Sequence, residues 1–233
     1  MPAQVVGREP PQERVRARSR DLELGERGLI DQRDALALGH LLAEGWIDDA
    51  AAVLALTPAD GPADARGVEV QIEAARVDVA LGERRHQTQH GCGLRHVLDC
   101  DPPPRRTDAP AAPARVELLF RPLFAACVDA APEGGIHAAA LSDGADLTHV
   151  ATDVARHCAV DRAIGLALAT GTETERLGLV LTSRISGAIA LKCARVGIRW
   201  IASRSIATTL AHEIAAAYGI TIVERAARAR DDA

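Results

Sequence analysis

Aromatic residues are scarce in this chain. Its 233 residues include two Trp, two Phe and one Tyr, too few to stack the successive bases of a single-stranded nucleic acid. A positive surplus is lacking too: 27 Lys and Arg against 32 Asp and Glu leave a formal charge of -5, whereas a general nucleic-acid binder is usually basic. No apolar run approaches a membrane span in length. The first twenty residues are rich in Arg, Pro and Gln and lack a hydrophobic centre, so they do not read as a secretory signal. Residues 1–20 are expected to form a mobile tail. Five cysteines, Cys92, Cys100, Cys127, Cys158 and Cys193, stand at irregular spacing with no CxxC. That pattern argues against a disulfide framework and for reduced thiols in the cytosol. The expectation is a cytoplasmic protein that binds neither nucleic acid nor membrane.

What is present divides the chain in two. Residues 99–114 hold Pro102, Pro103, Pro104, Pro110 and Pro113 and read as an extended linker. It separates an N-terminal α+β part (21–98) from a C-terminal α/β domain (115–233). In the first part, Asp31 to Trp46 predicts a helix with Asp31 as N-cap and Gly45 as its stop. Alternation at Val68, Val70 and Ile72, and again at Val77, Val79 and Leu81, predicts two strands, with a loop over Thr57 to Arg66. The second part predicts helices over 118–128, 156–168, 186–196 and 208–218. Strands are predicted over 136–141, 177–181, 198–202 and 220–223. Alternation of this kind implies a largely parallel, two-sided sheet.

The most informative feature is a turn that recurs three times after an apolar run and before a helix: Thr152 to His157, Thr182 to Ser186, and Ser203 to Thr208. At the carboxyl edge of a parallel sheet such turns bring helix N-termini together. Arg156, His157, Ser183, Arg184, Ser186, Ser203, Arg204, Ser205 and Thr208 would add guanidinium, imidazole and hydroxyl donors to the free amides. That combination suits phosphate or pyrophosphate. Ordinary helix capping accounts for any one Ser or Thr; three Arg-bearing turns on one edge favour an anion site. His137, after Gly134-Gly135, is either a core histidine bonded to backbone or part of the pocket lining.

Cys92 sits in His90-Gly91-Cys92-Gly93-Leu94-Arg95-His96. Flanking glycines leave its sulfur accessible, and Arg95 with any protonated His favours the thiolate. Such a thiolate can accept and pass on sulfur, or it can be a passive loop cysteine. His86, His90, Cys92 and His96 could ligate zinc, but their spacing fits no common closed site. No tightly held metal is expected. His157 and Cys158 are helical neighbours pointing apart, not a nucleophile and its base.

Several motifs, in order, resemble the FdhD/NarQ family of formate dehydrogenase accessory proteins. Leu36 to Gly45 is close to LALGFLxxEG, and Gly134 to Ala139 to GGVHAA. Asp153 to Arg162 resembles DVGRHNAVDK, Thr182 to Ser186 resembles SGRIS with Lys192 at the lysine that follows, and Ala202 to Thr208 resembles ASRSAPT. The resemblance implies a C-terminal three-layer domain similar to the cytidine deaminase fold, and a homodimer. It also implies a sulfurtransferase that takes sulfur from a cysteine desulfurase. The sulfur would go to a bound client, molybdenum bis(molybdopterin guanine dinucleotide), before formate dehydrogenase receives it. Cys92 matches the first half of the family's CGxCG carrier loop, while Arg95-His96 replaces the second Cys-Gly. Ala155 and Ser183 replace glycines. Arg225 and Arg228 stand where the family's tail contributes to cofactor binding. These departures leave a second reading, a non-catalytic chaperone of the pterin nucleotide. A zinc hydrolase would need an HxE base, which His137-Ala138-Ala139 lacks.

Overall fold

The computed structural model describes residues 13–18, 32–45, 47, 50–59, 67–72 and 112–226. Two sheets organise them. The smaller has the order β1-β3-β2, all antiparallel, with β1 Glu13–Arg18, β2 Val53–Ala59 and β3 Gly67–Ile72. The larger runs β5-β4-β6-β7-β8. Its strands are β4 His137–Ser142, β5 Leu147–Asp153, β6 Gly178–Leu181, β7 Trp200–Ser203 and β8 Thr221–Val223. The described α-helices are α1 Gln32–Ala43, α2 Phe120–Ala130, α3 Arg156–Ala169, α4 Gly187–Arg195 and α5 Thr209–Tyr218.

Strand residues alternate between two cores, as the period of two in a pleated sheet requires. Ala139, Leu141, Leu179, Leu181 and Ile201 face the larger core, which includes residues of α1, α3, α4, α5 and β3. Ala138, Ala140, Val180, Trp200 and Ala202 face the smaller core, closed by Phe120, Leu123 and Cys127 of α2. The large sheet is therefore covered on both faces. Helix α1 from the N-terminal part shares one continuous core with the C-terminal helices. It meets α3 backbone to backbone: a Cβ at Gly39 would lie 1.8 Å from the Asp161 carbonyl oxygen, and one at Gly165 1.8 Å from that of Ala35. Only glycine permits that approach.

Local signals behave as their chemistry dictates. Pro122 lies in the first turn of α2, where its missing N–H costs nothing. Thr208 caps α5 by accepting from the Ala211 N–H, and Gly219 closes that helix at φ 64°.

The large sheet departs from the expected parallel arrangement. β4 pairs antiparallel with both β5 and β6, and only β6, β7 and β8 run parallel. A hairpin causes this. Ser142-Asp143-Gly144 turns the chain, with the Asp143 carboxylate accepting from the Ala145 and Asp146 amides and Gly144 at φ 104°. Because β4 is reversed, β5 points the same way as β6, β7 and β8.

In the N-terminal part, Glu13–Arg18 lies within the expected tail yet pairs along β3 as an edge strand. Backbone pairing to a neighbour, not apolar alternation, supplies its order. Thr57, Pro58 and Ala59, expected in a loop, end β2. β2 is also an edge, where a proline is tolerated. The strand expected over 77–81 and most of the linker, 99–111, fall outside the described residues.

Candidate functional site

Strand direction brings the three turns to one edge. Asp153 pairs with His137, Ala139 with Leu181, and Leu181 with Ser203. The ends of β5, β6 and β7 and the start of β4 thus lie in a row. Helices α3, α4 and α5 each begin within a few residues of these ends. Their N-termini present amides at the same edge.

The first turn is set by Asp153. Its buried carboxylate accepts from the Ala155 amide at 2.8 Å and pairs with Arg162 at 3.0 Å. The N-cap of α3 is Ala155, which offers no side-chain acceptor, so the first amides of that helix keep their donors. Arg156 follows, half-buried, and its Nε is enclosed without a hydrogen-bond partner among the described residues. His157 Nε2 lies 3.3 Å from Ser186 Oγ, across from α3 to the start of α4. Burial first, then the charges of Arg156 and Lys192, push the His157 imidazole down to about 4. It is neutral at physiological pH. His137 is also held below its usual range by burial and by Arg156.

The second and third turns are tied together. Ser203, fully buried, donates to the Ser183 carbonyl at 2.7 Å and accepts from the Ser205 amide at 2.9 Å. Ser183 is buried and donates to the Arg184 carbonyl. Both hydroxyls therefore act as framework, where the sequence suggested ligand donors. Ser186 caps α4, accepting from Ile189 N–H. Thr208 is likewise committed to its cap. Arg184 is exposed, and the Arg204 guanidinium carbon lies 5.6 Å from the Phe124 ring centroid. The Ser205 carbonyl accepts from Arg225 N–H, and the Glu224 carboxylate accepts from Ala207 N–H. The Arg225 side chain is exposed; Arg228 and Cys92 lie outside the described residues. So do His86, His90 and His96.

Behind the edge lies a group the sequence did not mark as functional. Lys192 of α4, 3% exposed, forms ion pairs with Glu44 just beyond α1 and, at 2.8 Å, with Asp161 of α3. His40 Nδ1 lies 3.1 Å from the other Asp161 oxygen, and Arg195 donates to the Ala43 carbonyl at 3.1 Å. Burial works against the Asp161 and Glu44 charges, but Lys192 and His40 outweigh it and hold both carboxyls below their usual range. Burial likewise opposes the Lys192 charge, and the two carboxylates reverse it, raising its pKa. The available signal was the motifs themselves: His40 and Glu44 lie within Leu36 to Gly45, Asp161 lies within Asp153 to Arg162, and Lys192 follows the second turn.

The remaining cysteines are shielded. Burial, then Asp153 and Asp161, push the Cys158 thiol up to about 11. Burial also raises Cys127 and Cys193. None of these three supplies a thiolate at neutral pH. Among the described residues no group of three or more His, Cys, Asp or Glu is placed to hold a metal ion, and no helix is long and apolar enough to cross a membrane.

The molecule is a mixed α/β protein whose carboxyl strand edge gathers helix N-termini, arginine and a neutral histidine. The chain belongs to the FdhD/NarQ family, whose family model matches residues 29–232. It is 31% identical over 203 residues to the sulfur carrier protein FdhD of Burkholderia mallei, covering 82% of this chain and 74% of that one. To the protein of the same name in Streptomyces avermitilis it is 33% identical over 211 residues, covering 81% and 73%. A shorter match, 41% over 90 residues, links it to the Listeria monocytogenes (strain F2365) sulfur carrier protein FdhD; it covers 39% of this chain and spans only 34% of that relative. In fold it is similar to a crystal structure from Desulfotalea psychrophila, provisionally assigned as a formate dehydrogenase accessory protein. That match has a TM-score of 0.62 and 21% identity, covering 86% of this chain and 76% of the other.

Proposed function

We propose that this protein is a cytoplasmic sulfur carrier that serves formate dehydrogenase as a homodimer. Cys92 attacks the terminal sulfur of a persulfide on a cysteine desulfurase. A new S–S bond forms at Cys92, the donor's S–S bond breaks, and the donor cysteine leaves as a thiolate. The client is molybdenum bis(molybdopterin guanine dinucleotide), whose diphosphates sit on the strand edge, and similarity of the C-terminal sheet to cytidine deaminases belongs to the same reading. Family membership and the convergence of the β5, β6 and β7 ends support it. Arg156 is the observation that carries the anion seat: its Nε is enclosed, with no hydrogen-bond partner among the described residues, beside helix amides that no side chain caps. Cys127, Cys158 and Cys193 are held as thiols, so the sulfur falls to a cysteine elsewhere.

Incubation with a cysteine desulfurase and cysteine should add one sulfur atom at Cys92, removable by dithiothreitol and visible by peptide mass spectrometry. No addition there would end the carrier role. A second reading rests on Arg95-His96, which takes the place of a second Cys in the carrier loop. On that reading the protein holds the pterin nucleotide without moving sulfur. Restoration of formate dehydrogenase activity by Cys92→Ala in a deletion strain would decide for it.

A further inference from the structure

The chain has two phenylalanines, and they are used differently. Phe120 is 2% exposed in the core beneath α2. Phe124, one turn later, is 38% exposed with the Arg204 guanidinium over its ring at 5.6 Å. Its place is specific. Cys127, on the same helix, shares the smaller core with Val180 of β6, and Arg204 belongs to the turn after β7. Phe124 therefore stands at the rim of the strand edge, between the second and third turns. No carboxylate among the described residues pairs with Arg204, so its charge remains available while its plane rests on an aromatic face. Val128 follows Phe124 on the same helix face at 60% exposure, and Ile206 follows Arg204 at 42%. An exposed aromatic ring with a guanidinium over it, at the end of a turn that carries further donors, matches the chemistry of a heteroaromatic ring attached to a diphosphate.

We infer that Phe124 and Arg204 form the seat for the purine or pterin ring of the nucleotide whose diphosphate lies on the strand edge. The ring stacks on the exposed part of Phe124, and Arg204 spans ring and phosphate. This deepens the anion-edge reading and rests on it. Phe124 then separates nucleotide from bare pyrophosphate, because only the nucleotide has a ring to stack.

Calorimetric titration of the full chain with GDP and with inorganic pyrophosphate tests this. Phe124→Ala should weaken GDP binding about tenfold, the scale of one base–aromatic stack, and leave pyrophosphate within about twofold. Phe124→Tyr should retain GDP affinity, since stacking needs only the ring. Equal loss for both ligands, or unchanged GDP binding in Phe124→Ala, would overturn the assignment. So would a change in sedimentation behaviour with nucleotide affinity intact, which would make Phe124 a contact between copies. Should the parent protein bind neither GDP nor pyrophosphate, the anion edge fails and the ring seat falls with it. A parent that binds both with a variant that does not discriminate removes the ring seat alone.

Discussion

Two charged regions adjoin each other across α3 and α4, and they are built on opposite terms. Around Lys192 each named cation faces a carboxylate or a carbonyl, and the members come from α1, α3 and α4. On the strand edge the enclosed Nε of Arg156 has no partner among the described residues, Arg184 is exposed, and α3 begins with no side-chain cap. Charge that is paired and buried fixes three segments of chain in register. Charge that meets no carboxylate among the described residues at converging helix ends is what the proposed anion seat draws on. His157 joins the two regions: its ring meets Ser186 at the edge, while its titration feels Lys192, Asp161 and Glu44 behind.

The contrast predicts separable losses. Lys192→Met strands the buried Asp161 and the half-buried Glu44 carboxylates and should cost about 3–5 kcal/mol of stability, read from the urea midpoint. A cost under about 1 kcal/mol would mean that the network is solvated and the contrast false. Gly39→Ala places a methyl group against the Asp161 carbonyl; overpacking there should cost about 1–3 kcal/mol, seen as a lower Tm. At the edge the signs reverse. Arg156→Ala should leave the urea midpoint nearly unchanged and weaken pyrophosphate binding about tenfold or more, the worth of a charge-assisted hydrogen bond. Arg184→Ala, at an exposed position, should weaken it less, by about fivefold at most.

Acidity sharpens the same division. An unfolded imidazole titrates near about 6.5, whereas folded His157 is held down to about 4. Between those values the unfolded chain binds the proton that the fold refuses, so stability falls as pH drops through that window. The contribution is complete above the window and gone below it. Glu44 and Asp161 have lowered folded values, so their contribution is intact above the ordinary carboxylate range and is lost at lower pH. His157→Gln should therefore flatten the decline of the urea midpoint from about pH 6.5 to 4 and leave the steeper acid limb in place.

Much of the architecture was legible along the chain. Gly45 and Gly219 end helices, Ser186 and Thr208 begin them, and Pro122 falls in a first turn. Each acts within a few residues of itself. The hairpin signal at Asp143-Gly144 is local as well, and it is what separates the mixed sheet from the largely parallel one that strand–helix alternation implies. Ser183 and Ser203 look like ligand donors in the sequence because a hydroxyl in a turn has the same signature whether it faces solvent or another turn. In the fold both are buried and bonded to neighbouring backbone. Phe124 gave no periodic signal as an exposed residue, since it lies one turn from a core phenylalanine on the same helix.

Local chemistry along the polymer determined where helices start and stop, which strand residues alternate, and which turns carry arginine and hydroxyl groups. All of that depends on neighbours within a turn or two. Only the folded chain decided that β4 pairs beside β6, aligning three turns on one edge, and that Lys192 lies between Glu44, just beyond α1, and Asp161 of α3. Those outcomes depend on contacts between residues far apart along the chain, such as Ala139 with Leu181 and His40 with Asp161. The free energy of such contacts comes from burial and charge pairing in three dimensions, which the spacing of letters does not encode.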